Sequence, residues 1–283
     1  WTQLFAVEAL PHLSGNRPGM AAWVPDGTTV SDQVFTIKRN PYFVGIDPQG
    51  NQLPYIDEIR FTFYADREAL NLAAVAGEID FQGRHISMST YPVLKENENK
   101  ANYRVVTWPT FGGSDAVVML NQTWTGPEGE YFRNKDFRIA LSHAIDREAI
   151  KELAFYGLGE SRQGVPAPFH PYYPGDEYAF RYTELDMDKA NSLLDGILPN
   201  KNSDGFRLMS NGNILDIEIG IVPQFGNWPD IGQLIVENWA EVGVKAHIEI
   251  RERTQHFNMR PANELMSEIW NEDTTGFPFS GQP

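Results

Sequence analysis

The chain has 283 residues, of which 41% are hydrophobic and 22% charged, a balance typical of a globular protein long enough for two core-bearing units. Its formal charge of -15 argues against a nucleic-acid partner, because a phosphate backbone requires clustered Lys and Arg side chains. The absence of cysteine excludes disulfides, thiolate metal sites and cysteine nucleophiles.

Neither end of the chain carries a recognisable signal. It begins with Trp1 rather than Met, without a charged segment or cleavage site, and it ends in the aromatic and glycine-rich TTGFPFSGQP. No apolar run approaches the roughly 18 residues of a membrane span. We therefore expect a fragment of a longer protein, from which any signal peptide has been removed.

No metal site is predicted. The segment DPQGNQLPYIDE at 47–58 has oxygen-bearing side chains at calcium-loop offsets, namely Asp47, Gln49, Asn51 and Glu58. Gln52 stands where that loop requires glycine and Pro54 disturbs it, so we interpret the segment as a turn before a strand. The histidines lack the paired spacing that metal sites use.

A first strand, helix, strand unit is predicted at 57–82. DEIRFTFY at 57–64 alternates apolar and polar residues, as strands do. ADREALNLAAVAG follows as a helix that Asp66 can cap and Gly77 can end. EIDFQ at 78–82 then predicts a second strand.

The segment FRNKDFRIALSHAIDREAI at 132–150 predicts two consecutive helices. Apolar residues recur at steps of three and four and form a packing stripe of Phe137, Ala140, Leu141, Ala144 and Ile145. Asp146 can cap the second helix, which begins at Arg147. His143 lies at the edge of the stripe, and we interpret it as a structural rather than a catalytic histidine. A further helix is predicted for DMDKANSLLDGI at 186–197.

A second strand, helix, strand unit is predicted at 215–250. Two alternating apolar stretches flank a helix that ends at Gly243. Because such crossovers join parallel strands, ligands favour the carboxyl ends of the strands. The loop PQFGNWPD at 223–230 lies there and is a candidate site. The chain as a whole is predicted to be mixed α/β.

The chain has no enzyme signature: it lacks a G-x-S-x-G elbow, a Walker loop and a dinucleotide-binding G-x-G-x-x-G. No cofactor is predicted. Aromatic residues do recur beside predicted loops and strand ends, at Trp108, Phe111, Phe225, Trp228 and Trp270. Each one alone is more often a core residue than a ligand platform, but together they indicate a cleft.

Several stretches, read in order, resemble the extracellular solute-binding proteins of family 5, the dipeptide- and oligopeptide-type receptors of ABC importers. They are IKRNPYF at 37–43, LPYIDEIRF at 53–61, ALNLAAVAGEIDF at 69–81, the stretch at 132–150, YTELDMDKANSLLD at 182–195 and LIVENWAEVGVKAHI at 234–248. The resemblance implies a two-lobed fold of the type II periplasmic binding protein kind. Residues 1–82 would be an incomplete late part of lobe 1, 83–260 the complete inserted lobe 2, and 261–283 the return crossing.

The same resemblance implies a ligand site at the return crossing. Members of the family carry W-x-x-D-Y there, and WNED at 270–273 supplies Trp270, Asn271 and Asp273. Asp273 would pair the amino group of a peptide, because an ammonium that loses water needs a fixed carboxylate. TTGFP replaces the rest of the motif, which puts peptide specificity in doubt.

The resemblance thus implies a non-catalytic receptor, monomeric and periplasmic or extracellular, with a lipid anchor as one option. Its partners would be a small solute and a membrane permease. Short peptides are the expected ligands, held by Trp270, Asp273, Asn271, Phe225, Trp228, Trp108 and Phe111. Oligosaccharides are the alternative, because Trp faces stack on sugar rings. A cleft hydrolase with paired carboxylates, or a structural domain without affinity, are the other possibilities.

Overall fold

The computed structural model describes residues 19–86, 88–108 and 113–271, which form a mixed α/β structure as predicted. The strands are β1 (Trp23–Pro25), β2 (Val34–Arg39), β3 (Glu58–Thr62), β4 (Val117–Leu120), β5 (Asp216–Ile221), β6 (Lys245–Ile250) and β7 (Ser267–Trp270). The helices are α1 (Arg67–Ala76), α2 (Tyr91–Ala101), α3 (Gly129–Arg133), α4 (Lys135–His143), α5 (Arg147–Phe155), α6 (Asp176–Ala179), α7 (Met187–Ile197), α8 (Trp228–Glu241) and α9 (Arg253–Met259).

The polypeptide separates into two compact units, Trp1–Ala74 and Val75–Pro283. They are called unit 1 and unit 2 below. In unit 1, β1, β2 and β3 form an antiparallel sheet in that order. Phe35 and Phe61 face each other across β2 and β3, with ring centroids 5.8 Å apart. The lobe boundaries that the family resemblance implies, at 82 and 260, stay predictions.

The predicted strand at 78–82 is wrong, although the preceding helix is correct. Asp66 Oδ1 accepts the N–H of Ala69 at 2.8 Å, and Gly77 follows α1 with a φ of +76°. Residues 78–82 form no strand, and Phe81 is 74% exposed. Two alternating apolar residues are too few to define a buried face, and β3 pairs with the antiparallel β2 instead.

The calcium-like segment is a turn, as predicted. Asp47 Oδ1 accepts the N–H groups of Gln49 and Asn51, at 2.9 and 2.8 Å, so the carboxylate closes the turn that a metal ion would otherwise organise. The hydroxyl of Tyr55 donates to Asp47 Oδ2 at 2.6 Å. This bond, followed by that from Asn51, lowers the pKa of Asp47 to about 2.

Unit 2 is built on a sheet in the order β4-β7-β5-β6. β5 runs parallel to β6 and to β7, while β4 is antiparallel to β7. The predicted crossover is confirmed, because α8 connects the parallel strands β5 and β6. Gly232 lets α8 lie close to the sheet, since a Cβ there would come within 2.7 Å of Ile221 Cδ1 and 2.9 Å of Ile248 Cγ2.

The helices α4 and α5 form as the sequence predicts. Asp146 Oδ1 accepts the N–H of Ala149 at 2.9 Å and caps α5. His143 is fully buried, and its Nδ1 lies 3.1 Å from the carbonyl oxygen of Glu184. It is therefore held as a structural histidine. The predicted stripe packs into the core of unit 2, which includes Phe132, Phe137, Ala140, Leu141, Leu194, Ile217, Ile219, Ile221, Ile235, Trp239 and Ile269.

A buried arginine ties the loops after α7 and α8 together. Arg207 is fully buried, and its Nη1 donates to Asp195 Oδ1 at 2.7 Å and to the carbonyl of Leu198 at 2.8 Å. Its Nε donates to the carbonyl of Val242 at 2.8 Å, and its Nη2 to Asn191 Oδ1 at 2.9 Å. A guanidinium satisfied in this way stabilises the loops despite the cost of burying its charge.

Candidate functional site

The candidate site lies at the carboxyl edge of the unit 2 sheet. Because β5, β6 and β7 are parallel, their carboxyl ends meet at one edge. The loop at 223–227 follows β5 there, α8 begins at Trp228, and Asn271 follows β7. The antiparallel β4 contributes its amino end, where Val117 is paired with Trp270.

Three of the predicted site residues meet at this edge. Phe225, Trp228 and Trp270 have ring centroids between 5.0 and 6.1 Å apart, and Phe257 of α9 lies edge-on to Trp270 at 5.3 Å. We call these four residues the aromatic cluster. Such a cluster offers a large apolar surface with defined ring planes.

The members of the aromatic cluster differ in what they present to a solute. Phe225 is partly exposed, whereas Trp270 is 8% and Trp228 only 2% exposed. The indole of Trp228 is fixed by a hydrogen bond, because its Nε1 donates to the carbonyl of Asp115 at 2.9 Å. In this conformation, therefore, Phe225 and Phe257 form the accessible part of the cluster, and the buried Trp228 supports it.

The other predicted site residues lie elsewhere or outside the described residues. Trp108 is 67% exposed and packs against Phe81, with ring centroids 6.3 Å apart. Asn271 is partly exposed and directly follows Trp270. Phe111 and Asp273 lie outside the residues that the structure describes. The structure thus brings together Phe225, Trp228 and Trp270, whereas the ring contact of Trp108 is with Phe81.

A buried ion network lies against the aromatic cluster. Glu268 Oε2 accepts hydrogen bonds from His256 Nε2 at 2.6 Å and from Arg260 Nη2 at 2.8 Å. Burial by itself raises the pKa of Glu268, but the bonds from His256 and Arg260 outweigh it, and the net pKa lies below its usual value. Glu268 is therefore ionised at neutral pH and keeps its acceptor role.

Two further arginines flank the cluster. Arg251 is buried and forms an ion pair with Glu218, and a Cβ at Gly220 would come within 2.5 Å of its Nη1. The glycine thus makes room for the guanidinium. Arg253 is exposed, and its guanidinium carbon lies 5.0 Å from the ring centroid of Phe225. Arginine side chains therefore lie beside the aromatic surface, and the buried Arg251 is neutralised by Glu218.

A separate cavity of about 760 Å³ opens between β4, α4, α5, α8 and the segment 158–169. Trp108 lines it, together with Trp239 and the polar side chains of Ser142, Arg147 and Gln163. Desolvation lowers the pKa of Arg147 to about 10, and its Nη1 donates to the carbonyl of Ser142 at 2.8 Å. Arg147 is thus occupied by contacts within the protein.

Glu268, His256 and Arg260 were not predicted as site residues. The sequence does contain a signal for them. Arg260 directly follows α9, one helical turn after His256, and Glu268 and Trp270 lie two residues apart on β7. Each pair therefore shares a face of its element. Only the pairing of β7 within the sheet shows that these faces meet.

The described ranges hold neither a cluster of metal-ligating side chains nor a helix that could span a membrane. Among residues 19–86, 88–108 and 113–271, no group of three or more His, Asp or Glu side chains is placed to hold a metal ion. In the same ranges no helix combines the length and apolar character needed to cross a bilayer.

Comparison with known proteins identifies bacterial binding proteins that are similar in sequence to this chain. A periplasmic alpha-galactoside-binding protein of Rhizobium meliloti (strain 1021) is 30% identical over 226 residues, which are 72% of this chain and 31% of that protein. The oligopeptide-binding protein AppA of Bacillus subtilis (strain 168) is 28% identical over 186 residues, 60% of this chain and 31% of AppA. The chain thus spans about a third of the length of these relatives.

Solved structures share the fold over most of the chain. The oligopeptide-binding protein OppA is 34% identical with a TM-score of 0.67, covering 99% of this chain and 45% of that one. The periplasmic binding protein MelB of Agrobacterium fabrum C58, solved with stachyose, is 22% identical with a TM-score of 0.71, covering 93% and 41%.

The chain therefore has the mixed α/β architecture of the type II periplasmic binding proteins. The family model described as "Bacterial extracellular solute-binding proteins, family 5 Middle" matches residues 19–278. The chain belongs to this family of substrate-binding components of ABC transporters, as its sequence resemblance predicts.

Proposed function

We propose that this chain forms a solute-binding wall of a receptor that serves a bacterial ABC importer. The observation that carries the proposal is the aromatic cluster at the carboxyl edge of the unit 2 sheet, where α/β proteins bind ligands. Family membership supports it. The receptor binds its solute without altering it and hands it to a membrane permease.

The charges beside the cluster favour an uncharged, hydroxyl-rich solute, such as an oligosaccharide. Arg251 is paired with Glu218, and Arg260 with Glu268, so neither cation is available to a ligand carboxylate. The partly exposed ring of Phe225, covered on one side by Arg253, suits the apolar face of a sugar. The 30% identity to an alpha-galactoside-binding protein also supports this class.

A short peptide is the second candidate. Trp270 and Asp273 match the Trp and the Asp of the family's W-x-x-D-Y motif, whose Asp pairs with a peptide amino group. The 34% identity to an oligopeptide-binding protein supports the same ligand class. The oligosaccharide leads because Arg251 and Arg260 are paired with carboxylates, and the exposed Arg253 lies over the Phe225 ring.

Titration calorimetry with stachyose and with a defined pentapeptide tests both candidates. We expect stachyose to bind, and Phe225→Ala to weaken its binding by about three- to tenfold through loss of the ring contact. Phe61→Ala removes a partly exposed phenylalanine of unit 1 and serves as the matched control, with affinity unchanged. Binding of the pentapeptide alone, lost in Asp273→Ala, would replace the oligosaccharide with the peptide. Binding of neither probe would count against the receptor itself.

The location, oligomeric state and lobe boundaries that we propose are those that the family resemblance implies. The protein acts in the periplasm or outside the cell, as a monomer, and a lipid anchor is one way to hold it there. In this proposal residues 1–82 are a late part of lobe 1, 83–260 are lobe 2, and 261–283 are the return crossing toward lobe 1, which leaves lobe 2 through β7 of the unit 2 sheet. Sedimentation velocity tests the monomer, and limited proteolysis with mass spectrometry tests the boundaries near 82 and 260.

A further inference from the structure

Both hydrogen-bond donors to Glu268 contact the ring of Trp270. Glu268 and Trp270 are two residues apart on β7, so their side chains lie on the same face of the strand. His256, which bonds Glu268, stacks on Trp270 with ring centroids 5.9 Å apart and an interplanar angle of 11°. Arg260, the other partner of Glu268, has its guanidinium carbon 4.7 Å from the Trp270 ring centroid.

These hydrogen bonds fix the tautomer of His256 and the orientation of the His256 and Arg260 side chains. An ionised carboxylate only accepts hydrogen bonds, so the Nε2 of His256 must carry the proton that it shares with Glu268. The imidazole plane is then set by the carboxylate, and the indole lies parallel to it. The planar guanidinium of Arg260 is held by the same oxygen atom.

Stability alone does not explain this network, because it leaves buried polar atoms without hydrogen bonds. His256 is fully buried with its Nδ1 lacking a hydrogen-bond partner, and the Nε of Arg260 is buried without one too. Apolar residues of similar size would fill the same space without unsatisfied polar atoms, and buried ion networks are often no more stable than such replacements. What the ions provide is a single defined geometry.

We infer that His256, Glu268 and Arg260 form a positioning network that fixes the ring plane of Trp270, and with it the aromatic surface offered to the solute. The inference rests on the proposed function for its consequence, since a fixed indole matters only if a solute meets the cluster. Glu268 acts through its two partners and is therefore a positioning residue.

Circular dichroism without any solute tests the network directly. The indoles of Trp228 and Trp270 lie 5.1 Å apart at 52°, so their transitions couple and give an exciton couplet, which Trp270→Phe removes. We expect Glu268→Gln to weaken this couplet by about half, because the uncharged amide oxygen holds the two donors less strongly than the carboxylate oxygen does. Arg260→Lys tests the network at a partly exposed side chain, where failure to fold is not a concern, and should weaken the couplet as well.

Asp216→Asn is the matched control. Asp216 also accepts from a histidine and a cation, His247 Nδ1 at 2.9 Å and Lys245 Nζ at 2.6 Å, but it lies at the amino end of β5. The exciton couplet of the Asp216→Asn variant should equal that of the unmodified protein. A couplet that survives in both Glu268→Gln and Arg260→Lys overturns the positioning network.

Calorimetry with stachyose then tests the consequence. Glu268→Gln should bind about three- to tenfold more weakly, and Asp216→Asn with unchanged affinity. A lost couplet with full affinity in Glu268→Gln overturns the inference, since the ring plane would not matter to the solute. If the unmodified protein binds neither stachyose nor pentapeptide, the proposed function fails, while the couplet still decides whether the network positions Trp270.

Discussion

At the scale of single residues, Glu268 is the most informative side chain of the protein. It is a buried carboxylate that stays ionised because His256 and Arg260 both donate to it. Each donor also contacts Trp270, so one carboxylate links the electrostatics of the site to its aromatic surface. Removing the charge should therefore change stability as well as ring orientation.

The stability contributed by Glu268 should depend on pH in one direction. The folded state holds its pKa below the ordinary value of 4.5, so the contribution is complete above that pH and is lost as pH falls through the folded pKa. At pH 7 we expect Glu268→Gln to lower the free energy of unfolding by about 2 kcal/mol. Denaturant titrations from pH 7 to pH 3 should show this difference shrinking below pH about 4.5.

Glu249→Gln, an exposed carboxylate on β6, is the control for that series and should follow the unmodified protein throughout. A constant difference between Glu268→Gln and the unmodified protein over the whole pH range would contradict the linkage.

Sequence reasoning reached some of these residues and missed others for a physical reason. The aromatic residues at 225, 228 and 270 were predicted because large rings beside strand ends are conspicuous in any sequence. Glu268 and His256 look ordinary, since 38 acidic residues make chance pairs common. Their role depends on β7 lying beside β5 in the sheet, a contact between segments about 50 residues apart that local patterns do not encode.

At the scale of elements, helix caps were the most predictable feature. Asp66, Asp146 and Asp186 each accept a backbone N–H three residues further on. A cap depends only on neighbours in sequence, which is why the sequence predicted α1, α5 and α7 with accurate starts. The strand predicted at 78–82 failed for the opposite reason, because a strand exists only where another strand pairs with it.

The cap of α7 offers a matched pair of substitutions. Asp186 Oδ1 accepts the N–H of Lys189 at 2.9 Å, whereas Asp188 lies in the first turn of the same helix and makes no cap bond. Asp186→Ala should lower the free energy of unfolding by about 1 kcal/mol. Asp188→Ala removes the same charge near the helix dipole and should cost only about 0.3 kcal/mol. Equal losses in urea titrations of the two variants would show that charge, and not the cap, matters.

At the scale of the whole molecule, the two units differ in how much core they bury. The continuous core cluster of the described residues runs from Tyr131 to Trp270 and lies wholly in unit 2. In the described part of unit 1, the buried apolar side chains are few and include Phe35 and Ala73. Stability should therefore be unevenly spread over the chain.

Native-state hydrogen exchange measures that difference. The amides of β2 should exchange about tenfold or more faster than those of β5, because β5 is buried within the unit 2 core and β2 belongs to a small sheet with one well-exposed neighbour. Exchange within α8, which packs on the same core, is the internal reference. Equal protection in β2 and β5 would contradict the uneven distribution.

The close approach of α8 to the sheet at Gly232 has a consequence for how the aromatic cluster could diversify. Trp228 lies one turn before Gly232 on the same side of α8, and its indole belongs to the aromatic cluster. The methyl group of Gly232→Ala would push α8 away from the sheet. We expect this to tilt the first turn of α8 and to shift Trp228 relative to Phe225. A substitution at this packing position could thus alter the aromatic cluster without replacing any of its members.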